Sequence, residues 1–205
     1  MLLSLVDILR CPVDHEETAL VLSVDAWRGQ RVERGLLGCP FCRARYRIDD
    51  GVIDFRTGGG EPALVPGPLA PDEIARVRAL LNLGDPGGVV LLAGRYAGVA
   101  ESLSDEVDVT CLVVDGANRG EKCVGIMIGD RIPVADHSLR AAASDTSRLT
   151  PAFISELVRV IRARGRLLCD AGSEPSEGIA VLARDEQAWV GEVLDQPQVI
   201  PLRRP

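Results

Sequence analysis

The stretch that decides the fold is Val89-Val90-Leu91-Leu92-Ala93-Gly94-Arg95-Tyr96-Ala97-Gly98 (residues 89–98). Five consecutive apolar residues with no polar alternation are the mark of a strand buried on both faces. The glycine that follows ends the strand in a loop, and a short helix is expected around Val99 to Leu103. The same unit recurs downstream. Val109–Val114 and Val124–Ile128 read as a second and third buried strand, and Leu139–Ser144 as a fourth. Arg166–Cys169 reads as a fifth. Strand–helix alternation of this kind specifies a mostly parallel sheet with helices on both faces. Ligands bind such sheets at the carboxyl ends of the strands, near the point where the strand order reverses.

Two helices frame the pattern. Asp72–Leu83 carries Pro71 at its start, acids in its first turn, and Ile74, Val77 and Leu81 on one face, with Gly84 as its stop. Thr150–Arg164 has a capping Thr150, Pro151 in the first turn, Gly165 as its expected end, and the stripe Phe153, Ile154, Leu157, Val158, Ile161. The tail segments 179–183, 189–193 and 199–202 read as short strands that include an antiparallel pair.

Upstream of this unit, residues 57–71 hold four glycines and four prolines in fifteen positions, a composition that supports neither a helix nor a central strand. This is the expected linker. It separates a module over 1–56 from a Rossmann-like domain over 72–205. The expected fold class is therefore α/β: a shortened Rossmann-like, mostly parallel sheet with a small β-rich N-terminal module.

That module carries Cys11-Pro12-Val13-Asp14-His15 and Cys39-Pro40-Phe41-Cys42. Two Cys-Pro-x-Cys turns facing each other from two hairpins place four thiolates in a tetrahedron, the geometry zinc prefers. Here the second turn is intact and the first ends in Asp14. The expected metal ligands are Cys11, Cys39, Cys42 and either Asp14 or the adjacent His15. A module of this size buries little core, so a metal staple would be useful. The spacing of 28 positions from Cys11 to Cys39 leaves room for a strand hairpin. Cys111, Cys123 and Cys169 sit in or beside apolar runs and read as small hydrophobes.

Net charge is −7, with eight Arg against nine acids in residues 1–60, and fifteen basic residues against twenty-one acids in 61–205. An acidic chain of this kind is not expected to bind nucleic acid autonomously. No apolar run reaches the ~18 residues of a membrane span, and a cytoplasmic location is the default expectation.

Two resemblances follow from these residues. Val6-Asp7-Ile8-Leu9-Arg10-Cys11-Pro12, Gly38-Cys39-Pro40-x-Cys42 and Tyr46-x-Ile48-Asp49-Asp50-Gly51-Val52-Ile53-Asp54-Phe55 make the first module similar to the small zinc-ribbon proteins that activate tRNA and rRNA methyltransferases. Members of that family bind a methyltransferase or are fused to one. The region from Gly88 to Asp170 resembles class I S-adenosylmethionine-dependent methyltransferases by order and spacing. The resemblance implies that Gly94 and Gly98 line a cofactor loop, that Asp115 at the end of the second strand meets ribose hydroxyls, and that Asp130 approaches adenine.

The loop departs from the family's Gly-x-Gly-x-Gly. Tyr96 replaces the middle glycine and Arg95 stands beside it, where backbone alone should meet the cofactor. Ala93 stands where an acid often precedes the loop. After the fourth strand, Asp145 is the single acidic candidate, and it lies late; His137 sits in a polar loop. No catalytic set is assembled. The expected function is a non-catalytic accessory or scaffold protein acting through protein contacts, with a methyltransferase or a second copy as partner. The alternative is an active methyltransferase with an atypical cofactor loop.

Overall fold

The computed structural model describes residues 1–56, 67–117 and 120–195. Four strands come first: β1 (Val21–Arg28), β2 (Arg31–Gly38), β3 (Arg45–Asp49) and β4 (Val52–Asp54), each antiparallel to the next. α1 (Pro71–Leu80) leads to β5 (Val89–Ala93), a 3-10 turn over Gly94–Val99, α2 (Ala100–Val107), β6 (Thr110–Val114), β7 (Cys123–Met127) and β8 (Leu139–Ser144). α3 (Pro151–Val160), β9 (Ile161–Asp170), β10 (Ile179–Arg184) and β11 (Ala188–Val193) complete the described chain.

All eleven strands form one sheet, in the order β1-β2-β3-β4-β7-β6-β5-β8-β9-β11-β10. From β7 to β9 every neighbour pair is parallel. The order runs outward from β5 through β6 to β7, then returns to β8 and β9 on the other side. This is the half-turn of a Rossmann-like α/β sheet, and it puts the switch point between β5 and β8. β10 and β11 form the antiparallel pair expected of the tail. The expected strand over 199–202 lies outside the described residues.

Two cores follow from the strands' continuous apolar runs. One face, with Leu91, Leu112, Val124 and Ile126, packs on Phe153, Ile154 and Leu157 of α3. The other, with Val90, Leu92, Cys111, Val113 and Cys123, packs on α1, the turn that ends it, and α2 through Val77, Leu81 and Leu103. The three later cysteines are buried in these cores, as expected of small hydrophobes.

The N-terminal strands are part of the same sheet. β4 pairs parallel with β7 through Ile53↔Ile126 and Asp54↔Met127. Leu9 bridges Val134, the Arg10 amide donates to the Pro133 carbonyl at 3.0 Å, and the Ala135 amide donates to the Ile8 carbonyl at 2.8 Å. The Arg31 guanidinium caps the Glu121 carbonyl at 2.6 Å and that of Cys123 at 3.0 Å. The first core runs unbroken from Leu9, Leu37 and Ile53 into the parallel strands. Of the expected linker, 57–66 lies outside the described residues, and Gly67 packs its carbonyl against Gly98.

Two helices end sooner than their sequence pattern implies. α1 stops at Leu80 because Asn82 turns left-handed at φ 54°, ahead of the expected Gly84. α3 stops at Val160, where the apolar stripe continues but Ile161 is already extended (φ −79°, ψ 133°) and pairs with Leu139. Arg162, Arg164 and Gly165 therefore lie in β9, not in the helix or its cap. The capping itself is as expected: the Thr150 hydroxyl accepts the Phe153 amide at 3.1 Å.

Candidate functional site

The turn of Cys39–Cys42 follows β2, and the Cys11 turn precedes β1, so the inserted β1–β2 hairpin folds the two turns together. Donor atoms of Cys11, His15, Cys39 and Cys42 lie within 4.8 Å of one another. The Cys11 and Cys42 sulfurs are 3.6 Å apart, and His15 Nε2 is 3.6 Å from the Cys39 sulfur. A tetrahedron with ~2.3 Å metal–sulfur bonds has edges of about 3.8 Å. Of the two expected fourth ligands, His15 is the one the cluster contains, and Asp14 is not among its members.

His15 is oriented for this task. Its Nδ1 donates to the Glu16 carbonyl at 2.6 Å, which fixes the tautomer and leaves Nε2 free to ligate. Phe41 packs on the imidazole with ring centroids 4.9 Å apart. The Tyr46 hydroxyl lies 3.2 Å from the Cys11 sulfur. Burial pushes the Cys11 thiol up to about 11. Burial also opposes ionisation of Cys39, but amide hydrogen bonds from Cys42 and Phe41 and the neighbouring thiols outweigh it and bring Cys39 down to about 7. One thiolate is thus held ready by backbone amides.

The second site is the crevice at the carboxyl ends of β5 to β9. Gly94 ends β5 at φ +60°, a conformation that favours glycine. The space against Gly94 is occupied. The Asp145 carboxylate, from the end of β8, lies directly on Gly94, with no room for a Cβ. It accepts the Arg95 amide at 2.6 Å and the Ser147 amide at 3.0 Å. Residues 94–99 wind as a 3-10 turn.

Arg95 and Tyr96 turn away from Asp145 towards Asp170 at the end of β9. Tyr96 is 1% exposed, and its hydroxyl donates to Asp170 Oδ1 at 2.9 Å. Arg95 reaches the same oxygen at 3.0 Å, pairs with Glu73 of α1, and stacks over the Tyr96 ring at 4.4 Å. Burial, with Asp170 beside it, holds the Tyr96 phenol well above its usual value. Burial works against the Arg95 charge, but Asp170 more than offsets this and keeps the guanidinium protonated. Beside this network, Asp72, Glu73, Arg76, Arg95, Asp170 and Gln187 line an open cavity of about 700 Å³.

The residues expected to hold a nucleoside are scattered or engaged. Asp115 ends β6 at φ 52°, accepts the Ile128 amide at 3.3 Å and is ion-paired with Arg148. Arg148 comes from the loop after β8, so the pair reaches across the end of β5. Asp130 is exposed beyond Ile128, and Gly98 faces the Gly67 carbonyl rather than the crevice. His137 is exposed, with Nδ1 3.2 Å from the Ile161 carbonyl. Asp170, Glu73 and Arg148 were not singled out from sequence; only Asp170, one residue past the fifth strand, carried a positional signal.

No family model and no curated protein matches the chain. Solved structures do. A Galdieria sulphuraria protein described as a sarcosine dimethylglycine methyltransferase is 18% identical over 48% of this chain, with TM-score 0.40; this chain spans 43% of its length. A complex of the Haloferax volcanii Trm112 methyltransferase activator with a methyltransferase candidate matches at 14% identity over 60% of this chain and 90% of that one, TM-score 0.46. Haemonchus contortus phosphoethanolamine N-methyltransferase 2, solved with S-adenosyl-L-methionine, matches at 12% identity over 54% of this chain and 30% of that one, TM-score 0.43. At such identities and scores, function has to be read from the two sites themselves.

Proposed function

We propose that this chain is a non-catalytic accessory or scaffold protein: a methyltransferase-like α/β sheet whose cofactor crevice is closed by its own side chains, joined to a metal-stapled ribbon. The observation that carries the reading is the Asp145 carboxylate pressed on Gly94 and held by the Arg95 amide. Enzymes of this architecture need bare backbone at that point. The Arg148–Asp115 pair spends the acid that a ribose would need. S-adenosylmethionine does not fit these residues. What remains to the protein is surface. Val21, Val24 and Trp27 on edge strand β1, and Val181 and Leu182 on edge strand β10, are exposed. Exposed apolar groups on open sheet edges suit contact with a protein partner or a second copy.

Zinc fits the ribbon. Cys11, Cys39, Cys42 and His15 would hold it, and four protein donors leave no open coordination position, as in a structural rather than a catalytic site. The metal would fix the hairpin that carries β2 to β4 and, through β4, the edge of the parallel sheet. Metal analysis of purified protein should find one zinc per chain.

The alternative reading, a working methyltransferase, draws on one observation: the β5/β8 switch point is intact, with Asp115 at the end of β6. Thermal shift separates the two. On the accessory reading, ~1 mM S-adenosylmethionine or S-adenosylhomocysteine leaves Tm unchanged; a ligand present at 100 times its Kd would add about 2.7 kcal/mol of stability. A clear upward shift with either compound favours the enzyme.

A further inference from the structure

The outer face of the ribbon sheet carries charge that the net balance conceals. Direct cross-strand partners share a face. Leu37↔Tyr46 and Gly35↔Ile48 look into the core. The residues between them look the other way: Arg45 and Arg47 on β3, Arg34 and Leu36 on β2, Val21 and Ser23 on β1. Arg34, Arg45 and Arg47 are exposed. So is Arg43, in the Cys39–Cys42 turn region at the same end of β3.

These four arginines differ from the others in the module. Arg10, Arg28 and Arg56 are paired with Glu17, Glu33 and Asp54. Arg31 caps backbone carbonyls. Among the described residues, Arg34, Arg43, Arg45 and Arg47 have no ion-pair or hydrogen-bond partner for their side chains. Asp54 lies opposite Arg47 in the ladder but is engaged by Arg56, whose guanidinium reaches both its oxygens at 2.9 Å. The Arg56 contact, first through its hydrogen bond, holds the Asp54 carboxyl below the usual range, so it stays committed.

We propose that this face binds the phosphate backbone of single-stranded nucleic acid. Arg45 and Arg47 stand two residues apart on one strand, ~7 Å at the rise of a β-strand, a row suited to successive phosphates. Arg34 adds a third guanidinium on the neighbouring strand. Leu36 lies on the same face, directly opposite Arg47. A positively charged track that follows the phosphate backbone is what single-strand binders use. The acidic remainder of the chain, with fifteen basic residues against twenty-one acids in 61–205, confines the contact to this face.

The test is fluorescence anisotropy of labelled 20-nucleotide poly(U) RNA and poly(dT) DNA with the full-length protein at several salt concentrations. Binding is expected at about 50 mM salt and should weaken steeply as salt rises. The triple variant Arg34→Glu/Arg45→Glu/Arg47→Glu should lose at least about tenfold in affinity, and its salt slope should flatten by about 2, three contacts at ~0.7 each. Arg162→Glu, an exposed arginine on β9, should bind like wild type. Unaltered circular dichroism and Tm establish that the variants fold. Absence of binding by wild type, equal binding by the triple variant, or equal loss in Arg162→Glu overturns the proposal. Competition by poly-glutamate as effective as by RNA overturns it in favour of an acidic protein partner.

Discussion

At the scale of single residues, the account turns on which atoms stand next to Gly94 and next to Cys39. A Cβ at Gly94 would enter the Asp145 carboxylate, and its φ of +60° is strained for any other residue. Gly94→Ala should therefore cost about 1–3 kcal/mol, read as a lowered Tm; an unchanged Tm would mean that Asp145 is not held there. In the N-terminal module, His15→Ala should abolish stoichiometric zinc in elemental analysis, whereas Asp14→Ala should retain it. The three cysteines were legible from their spacing alone. The choice between Asp14 and His15 was not, because it depends on the Glu16 carbonyl that fixes the imidazole tautomer. Arg95 and Tyr96 stood out in the sequence as bulky residues in a glycine loop. The sequence could not show that they turn to Asp170 while Asp145 takes the vacated space.

At the scale of elements, β5 and β8 follow their apolar runs, because a strand buried on both faces leaves no periodicity to misread. Helix ends were less legible. The α3 stripe runs on to Ile161, yet pairing of Ile161 with Leu139 takes that residue into the sheet. Helical spacing and strand burial both accept an isoleucine there, and only the neighbour strand decides. Gly165, read as a helix stop, is instead a point of close approach inside β9, where a Cβ would lie 2.7 Å from the Arg140 carbonyl oxygen. Gly165→Ala should lower stability by roughly 1–3 kcal/mol, the usual cost of forcing atoms into a packed site. Denaturant unfolding checks this; a helix-ending glycine free of contacts would give a smaller loss.

At the scale of the whole molecule, the N-terminal strands and the Rossmann-like strands share one sheet and one core, so they should unfold together. The sequence showed two compositions split by a Gly/Pro segment, but not the β4–β7 ladder, which joins residues more than seventy positions apart. Chelating the metal should destabilise the whole chain. A loss of about 3 kcal/mol corresponds to roughly 10 °C in Tm for a chain of this size. Trp189 is buried in the far part of the sheet, so a Trp27→Phe variant reports on that region alone. Its fluorescence transition should move with chelation; a transition that stays put would show the two parts to be independent.

The proposed closure of the crevice by Asp145 is tested most directly by isothermal titration of the protein with S-adenosylmethionine and S-adenosylhomocysteine. The account predicts no binding heat from either compound up to ~1 mM, the weakest end of ordinary ligand affinity. A saturable isotherm in the micromolar range would contradict it, because the ligand could be seated beside Gly94 only if Asp145 gave way.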